Sequence, residues 1–424
     1  MYTYLQNNQL LKGWAEEVEA HIHEKFKEID QRVELHQMRA LKAFREEGVS
    51  EHHLAPSTGY GYDDAGRERL ERIFARLFGA EEALVRSHIV SGTHAISASL
   101  FAVLRPGDQL LSITGPPYDT LKGVIGNEQD GSGSLADFGI GYREIALTAS
   151  GEVDVVAVRE AVRQEKPQCV AIQRSRGYAA RPSFTIAQIK EMINVVRTAS
   201  PQTVIFVDNC YGEFVEEEEP THVGADLIAG SLIKNPGGGM AKSGGYIAGR
   251  AHWVKRAATA VVAPGIGSEG GATYGYLRDY FQGLFLAPHV VGQALKSAVF
   301  SAAMLERAGF PTSPRWNEGR TDIIQQISFQ DRDLLIAFCE GIQEASPIDA
   351  HLLPVPAPMP GYPDDVIMAA GTFVQGASIE LSADGPLRPP YTGFLQGGLT
   401  YAHGKAGILI ALDRMLTTGK MKKG

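Results

Sequence analysis

Lys234 stands in SLIKNPGGG, behind an apolar dipeptide and ahead of Pro-Gly-Gly-Gly. Glycines remove side chains and let a backbone approach another group closely, so this lysine is presented at an uncluttered site. A second useful group comes earlier. In TVIFVDNCYGEF an apolar, β-branched run leads into Asp208. Ligands of open α/β sheets sit outside the carboxyl ends of the strands, so an acid at that place faces a crevice. The next strand-like run, DLIAGSLI, ends at Lys234. An acid and a lysine thus arrive at one edge of a sheet from two strands.

That pair suits pyridoxal phosphate (PLP), an electron sink that asks the protein for a few groups. It needs a lysine for a Schiff base, a carboxylate on its pyridinium nitrogen, phosphate donors and a flat cover for the ring. Lys234 and Asp208 fill the first two places. In HIVSGTHA a strand ends at Val90, and Ser91, Gly92 and Thr93 open a helix. The N–H groups of a helix N-terminus bind anions. The same pattern is also that of a plain N-cap. Ser231 is a second phosphate donor. Tyr118 in GPPYDT follows the strand-like DQLLSIT and is the ring-cover candidate. Arg174 in IQRSRGY follows an apolar strand and is expected at the same crevice, on the cofactor or the substrate.

The elements that must position these groups read as α/β. Residues 14–47 lack Pro and Gly and carry apolar residues at helical spacing. RERLERIFARLFG is a second amphipathic helix ended by Gly79. Then ALVRSHIV, DQLLSIT, CVAIQ, TVIFVD, DLIAGSLI and GGYIAGR read as strands, with helices over SGTHAISASLFAVL and IAQIKEMINVVRTA. Apolar strands alternating with helices indicate a mostly parallel central sheet covered on both faces. Near residue 284 a long helix begins. Strands over TDIIQQISF and GTFVQGASIEL and helices over RDLLIAFCEGIQEA and YAHGKAGILIALDRML then suggest a smaller α+β unit. The expected organisation is an N-terminal helical segment at 1–60, a large α/β domain at 61–290 and a C-terminal domain at 291–424. The run Glu216 to Glu219 is expected to be a solvated loop.

The 424 residues carry a formal charge of −9, with 44% hydrophobic and 21% charged residues. A mildly acidic chain without a basic tract is a poor partner for nucleic acid or anionic membrane. No apolar run approaches the ~20 residues that span a bilayer, and the start shows no signal peptide. Three well-separated cysteines make no disulfide framework. The cytoplasm is the expected location. His21 and His23 lie on different faces of a helix and make a poor metal pair. Gly265 to Gly270 matches GxGxxG, which opens a nucleotide-binding alternative, but it lies deep in the chain without a suitably placed acid.

Taken together, SLIKNPGGG, VDNCYGEF, SGTHA and ELSADGPLRPPYTGFLQGGLTYAH resemble the PLP-dependent family named for aluminium resistance. Its members are also described as cystathionine β-lyase-like or methionine γ-lyase-like, within the Cys/Met-metabolism class of fold-type I enzymes. The resemblance covers nearly the whole chain and implies an aspartate aminotransferase-like architecture. It implies that Lys234 is the Schiff-base lysine and proton shuttle, that Asp208 pairs with the pyridine nitrogen, and that Tyr118 stacks on the ring. Ser91, Gly92, Thr93 and Ser231 would hold the phosphate. In the relatives a Tyr-x-Arg segment reaches the neighbouring subunit's phosphate. Tyr60 and Tyr62 match it, but no Arg stands two residues after either. The relatives' late substrate-binding arginine is absent from FLQGGLTYAH, and Arg388 is the substitute. The implied activity is carbon–sulfur lysis of a cystathionine-, methionine- or cysteine-like amino acid by α,β- or α,γ-elimination. An aldolase, an aminotransferase and a non-catalytic PLP-binding regulator are the alternatives. The resemblance also implies a homodimer or homotetramer with shared active sites.

Overall fold

The computed structural model describes residues 5–126, 133–177, 179, 181–359 and 364–421. The chain divides into two compact units, Gln37–Phe285 and a second made of Met1–His36 with Leu286–Gly424. The helices are α1 (Asn8–Glu46), α2 (Ala65–Leu77), α3 (Gly92–Val103), α4 (Asp119–Ile125), α5 (Val155–Glu165), α6 (Ile186–Ala199), α7 (Ala251–Val261), α8 (Leu277–Arg307), α9 (Arg332–Glu344) and α10 (Tyr401–Thr417). The expected boundaries at 60/61 and 290/291 differ from these. The N-terminal helix is not a segment of its own. Glu19 on α1 accepts from Tyr401 and Lys405 on α10, at 2.6 and 2.7 Å. Further along α1, Phe44 sets its ring edge-on to Phe281 and Phe285 within the larger unit.

The larger unit is built on β1 (Glu82–Arg86), β2 (Gln109–Ser112), β3 (Gly141–Glu144), β4 (Cys169–Gln173), β5 (Val204–Asp208), β6 (Leu227–Ser231) and β7 (Gly245–Gly249). Their order is β1-β7-β6-β5-β4-β2-β3. Strands β2 to β6 run parallel, and β7 is antiparallel to both β6 and β1. The near-continuous apolar runs of β5 and β6 follow from burial on both faces. Ile96, Leu100, Phe206, Leu227, Ile247 and Val254 join α3 and α7 to the sheet in one core. The order places the carboxyl ends of β4, β5 and β6 side by side, which a crevice needs.

The second unit carries β8 (Thr312–Ser313), β9 (Gln325–Ser328), β10 (Val366–Ala369), β11 (Ser382–Pro386) and β12 (Thr392–Gln396), all antiparallel in the order β10-β11-β12-β9-β8. The strand expected over 371–381 does not form, and strands flank it on either side. The Glu380 carboxylate accepts from the N–H groups of Phe373 and Val374, at 2.8 and 3.0 Å, and closes that stretch into a loop. Among the described residues no helix is long and apolar enough to cross a membrane.

Gly230 in β6 is fixed by what lies against it. A Cβ there would stand 2.5 Å from the Tyr246 ring and 2.7 Å from Glu213 Oε1. Gly230→Ala is therefore expected to destabilise the fold by about 1–3 kcal/mol through overpacking. Urea unfolding should show a lower midpoint with an unchanged slope.

Candidate active site

Strands β4, β5 and β6 and the first turns of α3 and α4 enclose a cavity of about 290 Å³. Ser91, Gly92, Thr93, Tyr118, Asp208, Ser231 and Lys234 all line it, so seven of the residues read from the sequence meet in one place. Each arrives for a local reason. Ser91 caps α3, its Oγ accepting from His94 N–H at 3.0 Å. Cap and phosphate donor thus need not compete, because the helix start itself faces the cavity. A Cβ at Gly92 would lie 3.3 Å from Cys210 Sγ, so the glycine keeps that wall open. Tyr118 begins α4 and is held by its N–H, which donates to Gln173 Oε1 at 2.9 Å. Gly177 packs on its ring.

The glycines after Lys234 have a mechanical cause. A Cβ at Gly237 would sit 1.8 Å from the Leu232 carbonyl, and Gly238 has φ 53°. Only glycine lets the chain fold back this tightly and leave Lys234 at the strand end. Asn235, fully buried, then ties this turn to the one after Asp208. Its Nδ2 donates to the carbonyls of Tyr211 and Glu213, at 2.9 and 3.0 Å. Tyr211 and Phe214 on that turn have φ of 73° and 62°, a left-handed conformation that a bulky residue adopts only when its surroundings demand it. The outcome is that Lys234 Nζ lies over the Tyr211 ring, 3.9 Å from its centre.

Burial works against the Lys234 ammonium, but the acidic groups gathered around it, Asp208 among them, outweigh it and hold its pKa above the ordinary lysine range. Burial pushes the Asp208 carboxyl up, and Lys234 and the Cys210 N–H, 3.1 Å away, oppose that rise. Desolvation beside Asp208 raises the Cys210 thiol well above its usual value.

Arg174 is not brought to the cavity. Gln173 and Ser175 line it, and the residue between them points the other way, as alternation along an extended chain requires. The Arg174 guanidinium is fully buried, donates to Asn209 Oδ1 at 2.8 Å and pairs with Glu219 and Glu216, each at 3.2 Å. Hence Glu219 is buried rather than solvated, unlike Glu217 and Glu218 beside it. Tyr60 and Tyr62 stand outside the cavity as an exposed stacked pair, their centroids 5.4 Å apart. Arg388 belongs to the second unit, where Nη1 donates to Asp364 at 2.9 Å. Among the described lining residues there is no arginine. The GxGxxG stretch follows α7 with no strand before it and turns the Glu269 and Gly270 carbonyls toward Arg67 and Arg86. It offers acceptors to guanidinium groups, not N–H groups to a phosphate.

Sequence reasoning missed Cys210, Tyr211, Gln173, Ser175 and Thr120 in the lining. Position alone could have found the first four, since they lie within three residues of Asp208 or flank Arg174.

Residues 11–416 match the family model described as methionine gamma-lyase. An uncharacterized Bacillus subtilis protein, YnbB, is 56% identical over 98% of this chain and 99% of its own length. A solved Listeria innocua structure, described provisionally as a cystathionine beta-lyase involved in aluminum resistance, is 55% identical with a TM-score of 0.93, covering 95% of this chain and 98% of that one. A pyridoxal-5'-phosphate dependent Escherichia coli protein, YhfS, at 16% identity and TM-score 0.63, covers 92% of this chain and 97% of its own and shares the fold-type I architecture alone.

Asn235→Ala removes the donor of two buried carbonyls, each costing about 1–3 kcal/mol when orphaned. The expected loss is about 3 kcal/mol of stability, measured as a fall in urea midpoint.

Proposed function

The chain belongs to the methionine gamma-lyase family, and on that premise we propose that it is a PLP-dependent carbon–sulfur lyase acting on a sulfur amino acid by α,β- or α,γ-elimination. The observation that carries this reading is the convergence of Lys234, Asp208 and the first turn of α3 on one cavity. The residues fit the cofactor. A wall kept open at Gly92, with the Ser91, Thr93 and Ser231 hydroxyls around it, suits a phosphate. The Asp208 carboxylate suits a protonated ring nitrogen, and Tyr118 supplies a flat face.

When bound, PLP supplies the electron sink that makes a substrate Cα–H acidic and lets a thiolate leave from Cβ or Cγ. The protein contributes position and proton handling. Lys234 Nζ takes the proton from Cα and returns it, held in place by the Tyr211 ring and by Asn235 behind it. Asp208 would favour positive charge on the ring nitrogen of the bound cofactor. Ile96, Leu121 and Ile233 make part of the wall apolar and exclude water from the reacting atoms. The products are a thiol, ammonia and a 2-oxo acid.

We also propose a homodimer or homotetramer in which Tyr60 and Tyr62, 73% and 53% exposed, reach the neighbouring subunit's site. The three free, buried cysteines support a reducing compartment, the cytoplasm. Among the described residues no cluster of His, Cys, Asp and Glu could hold a metal ion.

Adding PLP to the purified protein should give a visible absorption band, and borohydride should fix the cofactor on the peptide carrying Lys234. Lys234→Ala should take up none covalently; labelling of another lysine in that variant would move the assignment. Asp208→Ala should bind PLP more weakly and lose at least about a hundredfold in turnover. A sulfur amino acid screen should release thiol and 2-oxo acid together. An aldehyde with glycine, or stoichiometric amine transfer, would overturn the elimination chemistry.

A further inference from the structure

Glu213 is a buried acid that the chemistry above does not use. It lies on the strained turn after Asp208, fully buried. Its Oε1 accepts from Tyr246 Oη at 2.8 Å, and Gly230 packs against that oxygen. Its Oε2 is buried and has no hydrogen-bond partner. Tyr246 in turn receives Asn209 Nδ2 at 3.3 Å, and the same nitrogen donates to Glu219 Oε2 at 2.9 Å. On the facing turn after Lys234, Asn235 Oδ1 is also buried without a donor, while its amide nitrogen holds the Glu213 carbonyl.

The charges around Glu213 leave little room for another buried anion. The groups around it are Lys234 after β6, Asp208 and Cys210 at the end of β5, Tyr211 on its own turn, Tyr246 on β7, and Glu219 with Arg174 beyond Asn209. Arg174 is matched by Glu219 and Glu216 together. Lys234 is matched by Asp208. Burial raises the Tyr246 phenol and the Cys210 thiol well above their ordinary ranges. An ionised Glu213 would be a further buried anion with one oxygen unpartnered and no cation of its own, which a desolvated interior does not tolerate. A proton on Oε2 removes the charge and turns an orphan acceptor into a donor.

We propose that Glu213 is a positioning residue for Lys234 that stands behind it as a neutral, protonated acid. It withholds a second carboxylate from the lysine, so Asp208 is the carboxylate left to balance the ammonium and the hold on its proton is weaker than two anions would make it. Burial, with Glu219 nearby, pushes the Glu213 carboxyl up to about 8 from an ordinary 4.5, so the second anion appears only above neutrality. The proposal takes Lys234 as the site lysine. It is tested without PLP, so its failure and that of the lyase reading are distinguishable.

A carboxyl raised in the folded state stabilises the fold at low pH and loses that contribution as pH climbs from about 4.5 through about 8. Glu213→Gln imitates the protonated acid in shape and hydrogen bonding. On the cofactor-free protein, E213Q and the unmodified chain should melt together at pH 5, and E213Q several degrees higher at pH 9. A difference that does not vary with pH, or greater stability of the unmodified chain at pH 9, would overturn the proposal. Reductive methylation of Lys234 by formaldehyde and cyanoborohydride, read by peptide mass, should be equal in the two proteins at pH 6 and about tenfold faster in E213Q at pH 9. Equal rates at both would sink the link to the lysine. Infrared spectra of the unmodified protein keep the test open even if E213Q does not fold. They should show a protonated-carboxyl carbonyl band at pH 6.5 that fades through about pH 8 and shifts in Tyr246→Phe. Absence of a band with that sensitivity would refute a neutral Glu213.

Discussion

A cationic amine held in a desolvated cavity is the constraint from which most of this structure follows. Removing an ammonium from water costs several kcal/mol unless opposite charge and hydrogen bonds replace the solvent. Lys234 meets that demand with Asp208 from the neighbouring strand and with the face of Tyr211. The Tyr211 face is available only because its backbone adopts a left-handed conformation. That conformation persists because Asn235 from one side and Glu219 from the other hold the turn's carbonyls and N–H groups. Glu219 is available because Arg174 carries it inside. One buried charge thus specifies a chain of partners that extends well behind the cavity.

The sheet supports this economy of charge without taking part in it. Parallel strands buried on both faces leave no polar side chain in their middles, so polar groups collect at the strand ends. Asp208, Ser231 and Gln173 are each the last residue of a strand. Glycines then set how near neighbouring walls come. Gly92 lies against Cys210 and Ser231 and Gly230 against Tyr246 and Glu213, while Gly237 folds back on the Leu232 carbonyl.

Much of this was legible in the sequence, and the parts that were not share a physical reason. Runs such as VIFVD and LIAGS announce their strands because burial on both faces leaves one composition open. The groups at their ends could be named because a strand end is a place that a one-dimensional pattern locates. Arg174 was misjudged because the direction of a side chain depends on alternation within one element, and a one-residue difference reverses it. Glu219 was taken for solvated because a run of acids looks uniform until a buried guanidinium selects one of them. Residues 371–381 carry a strand-like composition, yet Glu380 takes the backbone N–H groups that a ladder would have used. Tyr211 was missed because its importance lies in a backbone conformation that residue type alone does not reveal.

The antiparallel strand β7 has a bearing on how the molecule is made. Edge strand β1 is hydrogen-bonded into its sheet only through β7, which lies far along the chain, and α3 follows β1 almost at once. The strand that leads into the wall carrying Ser91, Gly92 and Thr93 therefore gains its ladder only once β7, ending at Gly249, is in place. Ordering that depends on so distant a pairing is slow, and during synthesis the outer side of β6 remains an open edge able to pair with another chain. A nascent chain short of β7 therefore carries β1 without a strand partner and β6 with one side unpaired, the kind of exposed edge that makes folding intermediates prone to association.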